Sequence, residues 1–384
     1  MTINEPHAAE PIITALTPEQ LSRRISGHLR LAESAYPGLW REFALFRDRR
    51  SEVGANWSES CWMPIAAGIA VATHDAGCDL RLVQETLAVS QWGMSTPAVL
   101  TALATWRLGK AVIRFDTTLA DHLDETDDVA EIPAGILTRL PTWCMYITAP
   151  EGVHRALGVE MVHGAFVHVE SDSNTGRQEL RLLIDADCSS GPELIPVALY
   201  IDRGTVTASL EAFIANAVLT AQQNRPGIDA CEHDVRSIID ADPSAAAAVG
   251  TLRALVMPWM SRILYLCSEE PDIADADHPG RKLAHTESGG TRKPWTGATS
   301  TTTWDVGYRI GSIIRVGTPR GLVDRTITQP SKRRDVRPHW RRAHWHIYRV
   351  GEGRRQTRLR WIAPTPIMVA DLGQLPLVDR TAMG

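Results

Sequence analysis

The chain has no long apolar run, which removes the membrane-spanning class at once. A transmembrane helix needs about 20 consecutive apolar residues. The closest stretch, Pro64–Thr73, is about half that length and ends at His74-Asp75. The first residues, Met1–Glu10, carry acids and neither a basic nor an apolar signal region, so a cytoplasmic protein without membrane contact is expected. Cysteine is sparse: Cys61, Cys78, Cys144, Cys188, Cys231 and Cys267 form no C-x-x-C pair. That argues against a zinc ribbon, a thioredoxin-like centre or a disulfide framework, and buried free thiols are expected instead. A P-loop, a dinucleotide fingerprint and a G-x-S-x-G nucleophile turn are all missing. No cofactor is expected.

Lysine is nearly absent too, at four residues, so the cations are almost all arginine. They are unevenly placed. The net charge of −5 hides 19 Lys/Arg against 5 Asp/Glu between Arg281 and Trp361. That segment stands near +14 and the remainder near −19. Arginine by itself says little; its clustering needs a cause.

At 384 residues, 44% hydrophobic and 22% charged, the chain has the make-up of an ordinary globular protein of two or three domains. Thr17-Pro18-Glu19-Gln20 is a capping box with Pro at the first helical position. Leu21, Ile25, Leu29 and Ala32 then recur at helical spacing. Leu39–Arg49 presents Trp40, Phe43 and Phe46, and Trp62–Thr73, Leu80–Gln91 and Ala98–Arg107 also read as helices. A helical domain over 1–140 is expected, closed by the acidic stretch Asp116–Glu131 as a solvated connection. The period then changes to two. Trp143–Thr148, Met161–Glu170, Glu179–Asp185 and Ile195–Ile201 read as strands of an antiparallel sheet, with turn chemistry at Ser171–Arg177. Helices from Thr207 to about Gln223 and from Ser244 to Cys267 would cover it, the second kinked or divided at Pro258. This gives an α+β domain over 141–271. A polar linker or loop is expected over 272–303, and a basic β-rich module over 304–384.

Within Ser331–Trp361, His344–Val350 alternates, Gly351-Glu352-Gly353 turns, and Gln356–Ile362 alternates again, the signature of a β-hairpin. A turn centred near Glu352–Gly353 sets Tyr348 opposite Arg358, His346 opposite Arg360, Trp345 opposite Trp361 and Ile347 opposite Leu359. One face is then Trp, Ile, Leu and Trp, suited to a core. The other is His344, His346, Tyr348, Arg358 and Arg360, and a one-residue slip would mix the two sets. Arginine forks pair with phosphate oxygens, and His and Tyr rings stack on bases, so RNA is the expected partner. The candidate binding residues are Arg337, His339, Arg341, Arg342, His344, His346, Tyr348, Arg358 and Arg360. The competing explanation is that these arginines neutralise the acidic remainder of the chain.

Two metal sites were weighed against this. His339, His344 and His346 offer imidazoles, but no Asp, Glu or Cys is spaced as a further ligand, and the arginines would repel a cation. Asp185-x-Asp187 ends an apolar strand, where nucleases hold magnesium, yet strand-end carboxylates also cap loops. Gly307 and Gly311, spaced G-x-x-x-G, suit either close packing or a ligand.

The series WDVGYRIGSIIR at Trp304–Arg315, RPHWRRAHWHIYRVGEGR at Arg337–Arg354 and RLRWIAPTPI at Arg358–Ile367 resembles the C-terminal half of the family named for the second type V-A anti-CRISPR protein. The resemblance rests on about the last 80 residues. It implies regulation rather than catalysis: the named member recognises the emerging N-terminal peptide of the type V-A CRISPR nuclease and causes loss of its message. The expected function is therefore a non-enzymatic, anti-CRISPR-like regulator of a mobile element that binds a nascent polypeptide and messenger or ribosomal RNA. The alternative is a metal-dependent nuclease acting on RNA.

Overall fold

From Ala111 onward, consecutive strand residues are buried on both sides, so the sheet must carry a layer on each face. The structure, a computed structural model, describes residues 16–50, 57–73, 95–126, 131–150, 161–173, 175–188, 191–202, 204–223, 243–278, 280–285, 295–317 and 339–367. Arg337 and the helix expected over Leu80–Gln91 lie outside these.

Four helices come first: α1 (Pro18–Ala35), α2 (Leu39–Asp48), α3 (Ile65–Ala72) and α4 (Ser95–Gly109). The capping box forms, with Gln20 N–H donating to Thr17 Oγ1 at 3.2 Å and Thr17 N–H to Gln20 Oε1 at 2.8 Å. The next elements are β1 (Ala111–Phe115), α5 (Thr117–Asp124), β2 (Cys144–Thr148), β3 (Met161–Ser171), β4 (Gln178–Cys188) and β5 (Gly191–Tyr200). Helices α6 (Val206–Gln223) and α7 (Pro243–Leu266) follow, α7 running through Pro258, and then β6 (Ile273–Asp275), β7 (Thr302–Val306) and α8 (Tyr308–Gly317). Four short strands close the description: β8 (His339–Arg341), β9 (His344–Val350), β10 (Gln356–Ile362) and β11 (Thr365–Ile367).

The fold is α+β. Seven strands pair in the order β5-β4-β3-β2-β1-β7-β6. The run from β2 to β5 is antiparallel as expected, and β1 adds parallel pairings to both β2 and β7. The divisions expected at residues 140 and 303 both fall inside this sheet, since β1 precedes the first and β7 spans the second.

Three local expectations are corrected. Asp116 and the residues after it are no solvated connection: Asp116 caps α5, and Leu119 and Leu123, four apart, enter the core. The polar stretch from Asp272 includes β6, with Asp275 buried because it accepts the backbone N–H groups of Asp277 and His278. On α1 the buried stripe takes His28 in place of Leu29.

Strand residues divide between the two faces. Ile113, Met145, Val167, Leu182 and Ile184 join the core of α5–α7, while Val112, Tyr146, Phe166 and Leu183 join that of α1–α4. Both sheet edges resist further pairing: β6 is only three residues long, and β5 carries Pro192 and Pro196.

The face toward α1–α4 also buries polar groups. Asp185 has no exposed surface and accepts from Arg24 Nε at 2.9 Å, Tyr146 Oη at 3.0 Å and His28 Nε2 at 3.2 Å. Asp187 pairs with Arg24 Nη1 at 2.8 Å and His163 Nε2 at 2.7 Å. Gly164 lies directly against the Tyr146 ring, where any Cβ would collide and push Tyr146 away from Asp185. Burial works to raise the Asp185 pKa, but hydrogen bonds from His28 and Arg24 outweigh it and hold the carboxyl below its ordinary value.

Asp185→Ala should lower the unfolding free energy by about 3–5 kcal/mol, because it removes the buried carboxylate shared by Arg24, His28 and Tyr146 and leaves Arg24 with Asp187 alone. Urea denaturation measures this, and a loss below about 1 kcal/mol would contradict the account. A depressed folded-state pKa contributes stability that is present above the ordinary Asp value, about 3.9, and is lost as pH falls through the folded value. Stability should therefore decline on acidification below about pH 4, and less steeply in Asp185→Asn.

Candidate nucleic-acid interface

The hairpin forms in the expected register. β9 and β10 pair with Tyr348 opposite Arg358, His346 opposite Arg360, Ile347 opposite Leu359 and Trp345 opposite Trp361. The turn is made by Gly351, Gly353 and Arg354, all at positive φ (79°, 62° and 54°). Glycine takes such angles freely, so two of the three strained positions cost little.

A two-stranded ribbon alone is marginal in water, and this one is held by its inner face. Trp345, Leu359 and Trp361 are buried in the core shared with α5–α7. Trp361 meets the Tyr265 ring edge-on at 5.9 Å and donates Nε1–H to Thr126 Oγ1 at 3.3 Å. The backbone N–H of Glu269 donates to the Leu359 carbonyl at 2.7 Å.

The outer face holds the predicted residues. His346, Arg358 and Arg360 are exposed and Tyr348 is half-buried. The rings of His346 and Tyr348 lie with centroids 5.4 Å apart, tilted by 34°. His344 is half-buried at the end of this face, with Nδ1 3.2 Å from the Arg342 carbonyl. Arg341 and Arg342 are exposed just before β9. His339 begins β8, paired with Ile367 of β11. The structure thus brings five of the nine predicted residues onto one face and sets Arg341 and Arg342 immediately upstream in the chain.

Charge pairing separates two groups of arginines. The described arginines from 281 to 315 are spent on the protein's own acids. Arg281 pairs with Asp275 at 3.4 Å, Arg309 with Asp272 at 2.5 Å, and Arg315 with Asp116 at 2.8 Å. Gly311 makes the last pair possible, since a Cβ there would overlap the Asp116 carboxylate. The G-x-x-x-G spacing is therefore a packing device. On the hairpin only Arg358 has an acid, Glu269 at 3.1 Å. Arg341, Arg342, Arg349, Arg354, Arg355 and Arg360 make no ion pair with any described residue. Internal neutralisation thus accounts for the first group and leaves the second unexplained.

Glu269 is the residue sequence reasoning missed. It lies 89 positions from Arg358, and no local pattern links them. The two metal readings fare differently from the hairpin. Asp185 and Asp187 are occupied by Arg24, His28, Tyr146 and His163, so a metal would first have to displace a buried guanidinium. No cluster of three or more His, Cys, Asp or Glu suited to a metal occurs among the described residues. Among them, too, no helix is long and apolar enough to cross a membrane.

A second concave surface lies between α1, α4 and the start of β5. It is a groove of about 410 Å³ lined by Leu31, Ala32, Val99, Leu103 and Leu194, with His28 and Glu193 as its charged or titratable members. Leu31 is 70% exposed at its lip.

Fold and sites together define an α+β protein whose doubly covered sheet carries a cationic, aromatic hairpin on one side and an apolar groove on the other. Residues 113–368 match the AcrVA2-like family, the anti-CRISPR type V subtype A2 family, and the chain belongs to it. It is similar to Protein FinQ of Escherichia coli, with 24% identity over 296 residues covering 74% of this chain and 80% of that protein. The crystal structure of AcrVA2 superposes with a TM-score of 0.56 at 16% identity, over 89% of this chain and 98% of the other; at that identity the likeness concerns the fold.

Trp361→Ala should cost about 3–5 kcal/mol and release the hairpin. Hydrogen exchange would then show early loss of protection in β9 and β10 while β3 and β4 stay protected. Equal loss in all four strands would mean that the hairpin is not a separately anchored element.

Proposed function

We propose that this protein is a non-enzymatic regulator of the anti-CRISPR kind that lowers expression of a target by holding RNA on the outer face of the hairpin while a second surface reads a nascent N-terminal peptide. The observation that supports RNA most is the unpaired arginine set around His346 and Tyr348, on a chain whose other described arginines at 281–315 have acids. Exposed guanidinium forks beside rings suit a polymer that offers phosphates and bases together. The groove along α1 is the surface with the chemistry for an apolar peptide side chain. Family membership supports the regulatory role.

Fluorescence anisotropy with labelled RNA at low salt tests the central part. Binding should weaken linearly in log–log plots against salt, and Arg360→Gln should reduce that slope by about 0.7, the value for one phosphate contact on a single strand. Absence of binding at low salt would overturn the reading. So would magnesium-dependent, chelator-sensitive cleavage of the same RNA, which belongs to the nuclease alternative. Sequencing transcripts depleted on expression, with crosslinking to nascent chains, identifies the target.

A further inference from the structure

The geometry of the His346 and Tyr348 rings goes further than the charge does. We infer that the hairpin face takes single-stranded RNA, stacking an unpaired base on the His346–Tyr348 platform while Arg360 holds the adjoining phosphate. This rests on the RNA-binding reading above and names which form of RNA that site accepts.

Three features carry it. First, the ring centroids of His346 and Tyr348 lie 5.4 Å apart with their planes tilted by 34°, so the two rings lie in contact. A base slotted between two rings needs about 7 Å, twice the ~3.4 Å rise between stacked bases. The pair therefore offers one outward surface and no slot. Such a surface binds the open face of a base. In an A-form duplex every internal base face is covered by its neighbours, and the duplex presents only backbone and groove edges. A duplex would leave the rings with nothing to stack on.

Second, the cations on this face are not equivalent. Arg358, opposite Tyr348, is drawn to Glu269 at 3.1 Å, whereas Arg360, opposite His346, has no acidic partner among the described residues. The free fork is thus at the His346 end, one cross-strand step from the platform. A phosphate there and a base on the rings fit adjoining parts of one flexible strand.

Third, the platform sits on paired β-strands whose other face is fixed by Trp345, Leu359 and Trp361. Its ring spacing is set before any ligand arrives, which favours one-sided stacking over wrapping by a mobile arm.

The test uses the whole protein with two labelled probes of equal strand length, an unstructured 12-nucleotide oligouridine and a 12-base-pair RNA duplex. The single strand should bind at least ten-fold tighter. Tyr348→Phe should keep that preference. Tyr348→Leu, which retains apolar bulk and so the hairpin, should weaken single-strand binding roughly 5- to 150-fold and leave duplex binding unchanged. Arg360→Gln should weaken the single strand more than Arg358→Gln. Circular dichroism melts of each variant confirm that the fold is intact. Equal or tighter binding of the duplex, or a Tyr348→Leu loss common to both probes, would overturn the stacking inference while leaving RNA binding in place. Failure of both probes to bind would sink the two readings together.

Discussion

The architecture depends on a carboxylate with no access to water. Asp185 sits near the C-terminal end of β4 at zero exposure, and it is tolerable there only because α1 brings Arg24 and His28 to it and β2 brings the Tyr146 hydroxyl. This is a directional constraint, unlike the apolar packing around it. It fixes the rotation of α1 and the position of α1 along the sheet. A second buried pair, Arg181 with Glu170 at 2.6 Å, works on the same face, and the Glu170 carboxylate also accepts the Ile65 N–H at the start of α3. A third tie is Arg47, whose guanidinium lies 5.3–5.6 Å from the ring centroids of Trp57, Trp143 and Trp295. Burial in this box pushes the Arg47 pKa down to about 10, which leaves it charged at neutral pH and able to use the rings. The layer of α1–α4 is thus located by charges as well as by apolar contact, whereas the opposite layer, with its own buried pair of Arg262 and Asp124 at 2.6 Å, holds the hairpin by apolar contact.

That difference explains why the hairpin can be an appendage of the second layer. Its inner face adds two tryptophans and a leucine to a core that already holds Trp259, Tyr265 and Trp304, and its links to the body run through Glu269, Tyr265 and Thr126. No buried ion pair is needed to hold it. The arginines of its outer face stay free because the anchoring uses none of them except Arg358. The Trp345 indole N–H, buried without an acceptor, is a cost borne by this arrangement. It is the polar group that a stabilising substitution would address first.

What could be read from the sequence follows the range of each interaction. The hairpin was legible because both of its strands, its turn and its two-sided chemistry lie within 20 residues or so, and a period of two cannot be confused there with a helix. The capping box of α1 is local in the same way. β1 was not legible: Ala111, Val112 and Ile113 are consecutively buried, so the alternation that marks a strand is absent. His28 displaced Leu29 from the buried stripe because its partner, Asp185, is 157 residues away. The same distance hid the fate of the Asp185-x-Asp187 pair, which looks like a metal site until Arg24 is placed across it. Polar composition after Asp272 concealed β6 because its buried aspartate satisfies backbone groups rather than water.

The split in charge gains its meaning only with the pairing pattern. A segment near +14 beside a remainder near −19 could simply be a protein that neutralises itself. If that were the whole explanation, acids should be spread along the arginine-rich segment in space, and the hairpin arginines should be paired like Arg281, Arg309 and Arg315. Instead, of the described hairpin arginines, Arg358 alone has an acid. Glu269 beside Arg358 is the acid that the described residues bring to this face, and Arg360 has none. The negative remainder then has a second effect: it repels a polyanion from other parts of the surface. Under the proposed RNA binding, a nucleic acid would be steered to this face, and the rings, rather than the charges, would decide which form of it stays there.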